Sequence, residues 1–110
     1  MIPFELLQSP KFEHDFKNFD KKTQKRINTI ILEEVLTNPY NFTLMKYEYA
    51  GLREVRLGRN LRILFAICDE CRELRIRLRR CIDCSEIDQN SIKLLTSFYH
   101  KNKYPKIFRI

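Results

Sequence analysis

The chain has 110 residues, of which 44% are hydrophobic and 32% charged, with two glycines, four prolines and a formal net charge of +7. That length and balance describe one ordered domain, residues 1–110, with a modest core, and they exclude a disordered or low-complexity chain. No apolar run approaches the roughly 20 residues needed to span a membrane, and Met1-Ile2-Pro3-Phe4-Glu5-Leu6-Leu7 has neither a basic leader nor a small-residue cleavage site, so a cytoplasmic protein is expected.

Phe4 to Leu7 reads as a short first strand ended by Ser9-Pro10. Ser9 can cap a helix that Pro10 opens, where a missing amide hydrogen costs nothing. Phe12, Phe16 and Phe19 then recur at helical spacing. Asp20 caps a second helix, Lys21 to about Thr37, whose repeat is traced by Ile27, Ile30, Ile31, Glu34 and Val35 and widened by Leu32 and Leu36. Asn38-Pro39 stops it. Residues 40–50 form a packed linker that includes Phe42, Leu44 and Met45.

From Leu52 the period changes to two. Leu52 and Glu54 face one way, Arg53, Val55 and Leu57 the other, and Gly58-Arg59-Asn60 makes a turn. Leu61 to Ile67 is the clearest strand, and Leu74 to Arg79 reads as a short alternating one with arginines on one side. A closing strand is expected from Ile92 to Phe98, followed by a basic aromatic tail. Strand, two helices, then strands implies an α+β fold, with a helical hairpin on one face of a small antiparallel sheet.

Cys68-Asp69-Glu70-Cys71 and Cys81-Ile82-Asp83-Cys84 mark an insert over about residues 68–90. Two Cys-x-x-Cys pairs have the ligand number and spacing of a structural Zn2+ site with four thiolate ligands. Disulfides and unpaired core thiols are the alternatives, of which a cytoplasmic location disfavours disulfides. A complete thiolate set leaves no open position for water, so its role would be stability and shape.

Charge is segregated. Residues 1–40 hold six Lys/Arg and six Asp/Glu, whereas residues 41–110 hold fifteen against eight, with nine arginines between Arg53 and Arg80. Such a face suits a polyanion or an acidic protein partner; a solvated basic surface is the bland alternative. Arg75, Arg77, Arg79 and Arg80 read as a phosphate-contacting ridge, and Lys46 as a weaker candidate at its rim. His14 reads as an ordinary surface residue.

The run Leu52-Arg53-Glu54-Val55-Arg56-Leu57-Gly58-Arg59-Asn60-Leu61-Arg62-Ile63-Leu64-Phe65 resembles the RelE/ParE toxin superfamily. Ser9-Pro10-x-Phe12, the helix hairpin, Asn38-Pro39, His100 and Tyr104 follow in the corresponding order, so the likeness covers residues 4–67 and 91–104. The resemblance implies a small antiparallel sheet against a helical hairpin and a cognate antitoxin that wraps the toxin. It also implies one of two targets: mRNA in the ribosomal A site for RelE-like toxins, or DNA gyrase for ParE-like ones. A non-catalytic, zinc-stapled RNA- or protein-binding module is a third reading. The shared scaffold does not choose between them.

Metal-independent RNA cleavage needs a group to take the 2′ proton, cations for the phosphorane charge, and an acid or cation for the 5′ oxygen. Arg53, Arg56 and Arg62 can supply guanidinium groups from one strand pair, with Arg59 on the turn between them. Strict alternation, however, sends residues 53 and 56 to opposite faces unless a bulge intervenes. His100 has an acid–base pKa suited to the task. It stands four residues before Tyr104, near where the resemblance implies a catalytic basic residue upstream of a tyrosine. Members of the superfamily often have arginine there, so Lys101 is the alternative cation and the general base stays open. Tyr104 can stack on a base or assist proton transfer.

Overall fold

The fold is seen in a computed structural model that describes residues 4–46, 49–75 and 90–99, with only the backbone for residues 72, 74 and 75. Its elements run β1 (Glu5–Gln8), α1 (Pro10–Lys17), α2 (Lys21–Ile30), β2 (Thr43–Leu44), β3 (Arg53–Leu57), β4 (Leu61–Ile67), α3 (Cys68–Arg75) and β5 (Ser91–Tyr99). No helix among the described residues is long and apolar enough to cross a membrane.

Both hairpin helices start where the sequence predicts. Ser9 Oγ accepts from the Phe12 amide at 3.1 Å, and the Asp20 carboxylate accepts from the Thr23 amide at 2.7 Å. Each cap thereby satisfies an amide that a helix start leaves over. Ser9 also donates to the Leu95 carbonyl at 2.8 Å, which ties the start of α1 to β5. α2 continues through a π turn, Ile31–Val35, closed by the Leu36 amide on the Ile31 carbonyl. A short 3-10 turn follows at Pro39–Asn41. Ile27, Ile31 and Val35 are buried as expected, but Leu32 is 63% exposed. The helix buries one narrow stripe, and Leu32 falls outside it.

The five strands form one sheet in the order β1-β5-β4-β3-β2. All neighbours are antiparallel except β1 and β5, which pair in parallel with Glu5 opposite Ser91. The sheet is therefore mixed: the first strand returns to the edge of the last. A register irregularity at Leu64/Phe65 breaks the β4–β5 ladder. Asp15 of α1 serves that irregular stretch, accepting from Thr96 Oγ1 at 2.6 Å and from the Ser97 amide at 3.2 Å.

Alternation sorts the side chains into two clusters. Val55, Ile63, Phe65, Ile67, Ile92 and Leu94 pack with Phe12, Ile27, Ile31 and Val35 on the helix side. Leu52, Leu64, Ala66 and Leu95 form a smaller cluster on the other face, against which Met45, Tyr49, Cys71 and Phe98 pack. β4 is buried over its whole length because both its faces are covered.

One expected element differs. Leu74 and Arg75 end a helix rather than begin a strand, because α3 starts directly after β4 at Cys68. Asp69 and Glu70 in its first turn complement the helix dipole. Residues 76–79 of the expected strand lie outside the described residues.

Candidate functional site

The β3–β4 hairpin carries three of the residues expected from the sequence to be catalytic, and it splits them. Its register is regular, with Arg53 opposite Phe65, Arg56 opposite Arg62 and Leu57 opposite Leu61. With no bulge in this pair, Arg53 projects to the helix side, while Arg56 and Arg62 share the second face. The structure brings Arg56 and Arg62 together and leaves Arg53 apart.

Arg53 is engaged where it lies. Its Nη2 and Nε donate to the two Glu70 carboxylate oxygens at 2.6 and 2.9 Å, a bidentate pair between side chains only 11% and 13% exposed. Its Nη1 donates to the carbonyls of Tyr40 and Phe42, and its guanidinium stands 5.4 Å from the centre of the Tyr40 ring. The Glu70 hydrogen bond holds the Arg53 pKa above its ordinary value. Burial, followed by the Glu70 charge, raises that of the Tyr40 phenol. Arg53 thus fastens α3 to β3 and to the turn at residues 39–41.

Arg62 is buried and clamps the hairpin turn. Its Nη1 donates to the carbonyls of Gly58 at 3.3 Å and Leu61 at 2.9 Å, and its Nη2 to that of Arg59 at 3.0 Å. Its Nε is buried with no hydrogen-bond partner among the described residues. Arg56 is open to solvent, and its Nε meets the buried Glu54 at 3.0 Å. Arg59 is exposed on the turn between them. Gly58 makes the turn possible at φ +67°, a conformation that side chains other than glycine rarely adopt.

Two further cations flank this surface and had no distinguishing signal in the sequence. Arg26 of α2 reaches the turn, since a Cβ built on Gly58 would lie 3.4 Å from its Nη2. Lys93 is buried opposite Ala66 on the face that carries Arg62. Alternation along β5 could have placed Lys93 on that face, but its burial depends on what packs there. Lys46 is exposed at the far end of β3, after Met45, whose amide bonds the Leu52 carbonyl. It is therefore separate from the turn.

β5 ends at Tyr99, paired with Leu61 at the hairpin end, and Tyr99 packs edge-on against Phe19 at 5.4 Å. His100, Lys101, Tyr104, Arg77, Arg79, Arg80, Cys81 and Cys84 lie outside the described residues, as does the Arg75 side chain. Cys68 is buried and Cys71 half-buried, one helical turn apart in α3. Among the described residues, no group of three or more His, Cys, Asp or Glu could hold a metal ion.

The same fold occurs in several solved structures. A chain of the toxin–antitoxin complex RelBE2 from Mycobacterium tuberculosis superposes with a TM-score of 0.66 at 14% identity, covering 89% of this chain and 99% of that one. A chain of the intact RelBE toxin–antitoxin complex from E. coli gives 0.58 at 10% identity, over 86% and 94%. A conserved hypothetical protein from Helicobacter pylori gives 0.56 at 12% identity, over 92% and 99%. No family model and no curated protein matches the sequence. At these identities the likeness is one of fold, and the chain has the RelE/ParE-like α+β architecture.

Proposed function

We propose that this chain is a toxin-type endoribonuclease that cuts mRNA in the ribosomal A site and is neutralised by a cognate antitoxin. The observation that carries this reading is the Arg56–Arg62 pair: one exposed guanidinium and one buried guanidinium share a strand-pair face. That face adjoins the end of β5, and His100 is the next residue in the chain.

In the proposed reaction the ribose 2′ oxygen attacks the adjacent phosphorus and the P–O5′ bond breaks. His100 takes the 2′ proton, and the departing 5′ oxygen takes a proton from Tyr104 or water and leaves as a hydroxyl. Arg56 is free to swing from Glu54 onto a non-bridging phosphate oxygen, where a guanidinium is worth most as charge develops. Arg62 holds the turn that presents Arg56 and Arg59. Tyr104 stacks on a base or assists proton transfer, and Lys46, Lys101 and the Arg75–Arg80 stretch bind phosphates away from the scissile bond. Arg53 is assigned to holding α3. The upstream RNA fragment should carry a 2′,3′-cyclic phosphate; a plain 3′-hydroxyl end would exclude this route.

One observation favours a binding-only reading: Arg53 and Arg62 both already serve the fold. On that reading, replacing His100 and Tyr104 together leaves toxicity unchanged.

The four cysteines are proposed as a structural zinc centre. Cys68 and Cys71 suit half of such a set: two soft donors one helical turn apart, with Cys71 against the apolar cluster of Leu52, Leu64, Ala66 and Leu95. Bound zinc would cross-link α3 to the following segment and supply no chemistry to the RNA. Native mass spectrometry of reduced protein should find one zinc per chain, lost on replacing Cys71 with serine.

A further inference from the structure

The most strongly patterned surface outside the hairpin is the outer side of α2 and its π turn. Lys21, Lys22, Lys25 and Arg26 crowd the first half, and Glu33 and Glu34 stand in the second. All six are exposed, and none belongs to an ion pair among the described residues. Between them, Leu32 is the most exposed large hydrophobic residue described.

Spaced four residues apart, Lys21, Lys25, Thr29 and Glu33 run along one side of α2 and its π turn. With Leu32 these residues line a shallow groove of about 460 Å³. A second groove, of about 360 Å³, repeats the charge order on the other side of the helix: Lys22 and Arg26, then Glu34, with Ile30 and Leu57 as its apolar lining.

We propose that the chain self-associates as an antiparallel two-fold dimer through α2. A strip that is positive at one end and negative at the other, with small polar residues and Leu32 between, is complementary to itself under a two-fold axis. With that axis at Thr29, residues equally far on either side of it meet. Lys25, four residues before, then faces Glu33 of the second copy, four residues after. Arg26 faces Leu32 of the second copy, and the arginine stem covers the leucine. Asn28 and Thr29 at the axis are small enough for the helices to approach to about 8–10 Å. An acidic peptide would satisfy only the first half of the strip and would face Glu33 and Glu34 with like charge, which is why a second copy fits better. This inference is independent of the proposed nuclease activity.

Sedimentation of the purified full chain across the micromolar range reads the association directly. The unaltered chain should show a concentration-dependent monomer–dimer equilibrium. Lys25→Glu sets like charges against Glu33 at both symmetric contacts, and Glu33→Lys does the same against Lys25. Each alone should weaken dimerisation at least about tenfold. An equimolar mixture of the two variants restores opposite charges at both contacts and should dimerise like the parent. The proposal is overturned by a parent monomeric throughout, by single variants that associate as well as the parent, or by a mixture as weak as its components. A parent that stays monomeric would leave the face to a different protein.

Discussion

Arg53 and Arg56 are three residues apart on one strand, yet alternation sends them to opposite faces and into different roles. The sequence shows two arginines of equal promise; what separates them is Glu70, seventeen residues downstream and brought alongside by α3. Glu70→Gln preserves shape but removes the charge from a half-buried bidentate pair. Urea unfolding should show a loss of roughly 2 kcal/mol, because charge-assisted bonds of this kind exceed neutral ones. Asp20 permits a pH prediction of definite sign. Hydrogen bonds from Thr23 hold its carboxyl below the ordinary value of 3.8 in the folded chain. The charged cap therefore stabilises above the unfolded pKa, and that contribution fades as pH falls through the folded one. Asp20→Asn keeps an acceptor but no charge, so its urea midpoint should lie below that of the parent near neutrality and converge with it under acid.

At the level of elements, legibility followed local chemistry. The caps at Ser9 and Asp20, the stop at Asn38-Pro39, the turn at Gly58-Arg59-Asn60 and β4 were all visible because each depends on a few adjacent side chains. α3 was not. Its first turn coincides with a cysteine pair that invites a metal reading, and its end, Leu74-Arg75, begins an alternating run. The tertiary bond from Glu70 to Arg53 that anchors it has no local signature. The exposure of Leu32 likewise depends on tertiary packing: one step from Ile31, it lies outside the narrow stripe of Ile27, Ile31 and Val35 that is buried. Ser9 joins elements that the sequence shows only as neighbours in order: it caps α1 and donates to Leu95 in β5. Ser9→Ala removes both bonds at a buried position and should cost about 1–2 kcal/mol by chemical denaturation, with α1 amides exchanging faster.

Over the whole molecule, sequence order hides the pairing of the first strand with the last. Four residues of β1 show that a strand exists but carry nothing that names β5 as its parallel partner. That closure holds the helical hairpin on one face and leaves the cationic hairpin turn beside the end of β5. The formal charge of +7 makes association with a polyanion sensitive to salt. Binding to ribosomes should weaken steeply with ionic strength, and Arg56→Ala should lower the slope of log K against log salt by about 1 if Arg56 meets phosphate. The central claim is the cleavage itself. The direct measurement adds purified protein to an initiated ribosome complex and maps the mRNA ends by primer extension, with naked mRNA in parallel. Cuts confined to the A-site codon and absent from naked mRNA are the predicted result. Intact mRNA in both, from protein shown to be folded, would contradict it.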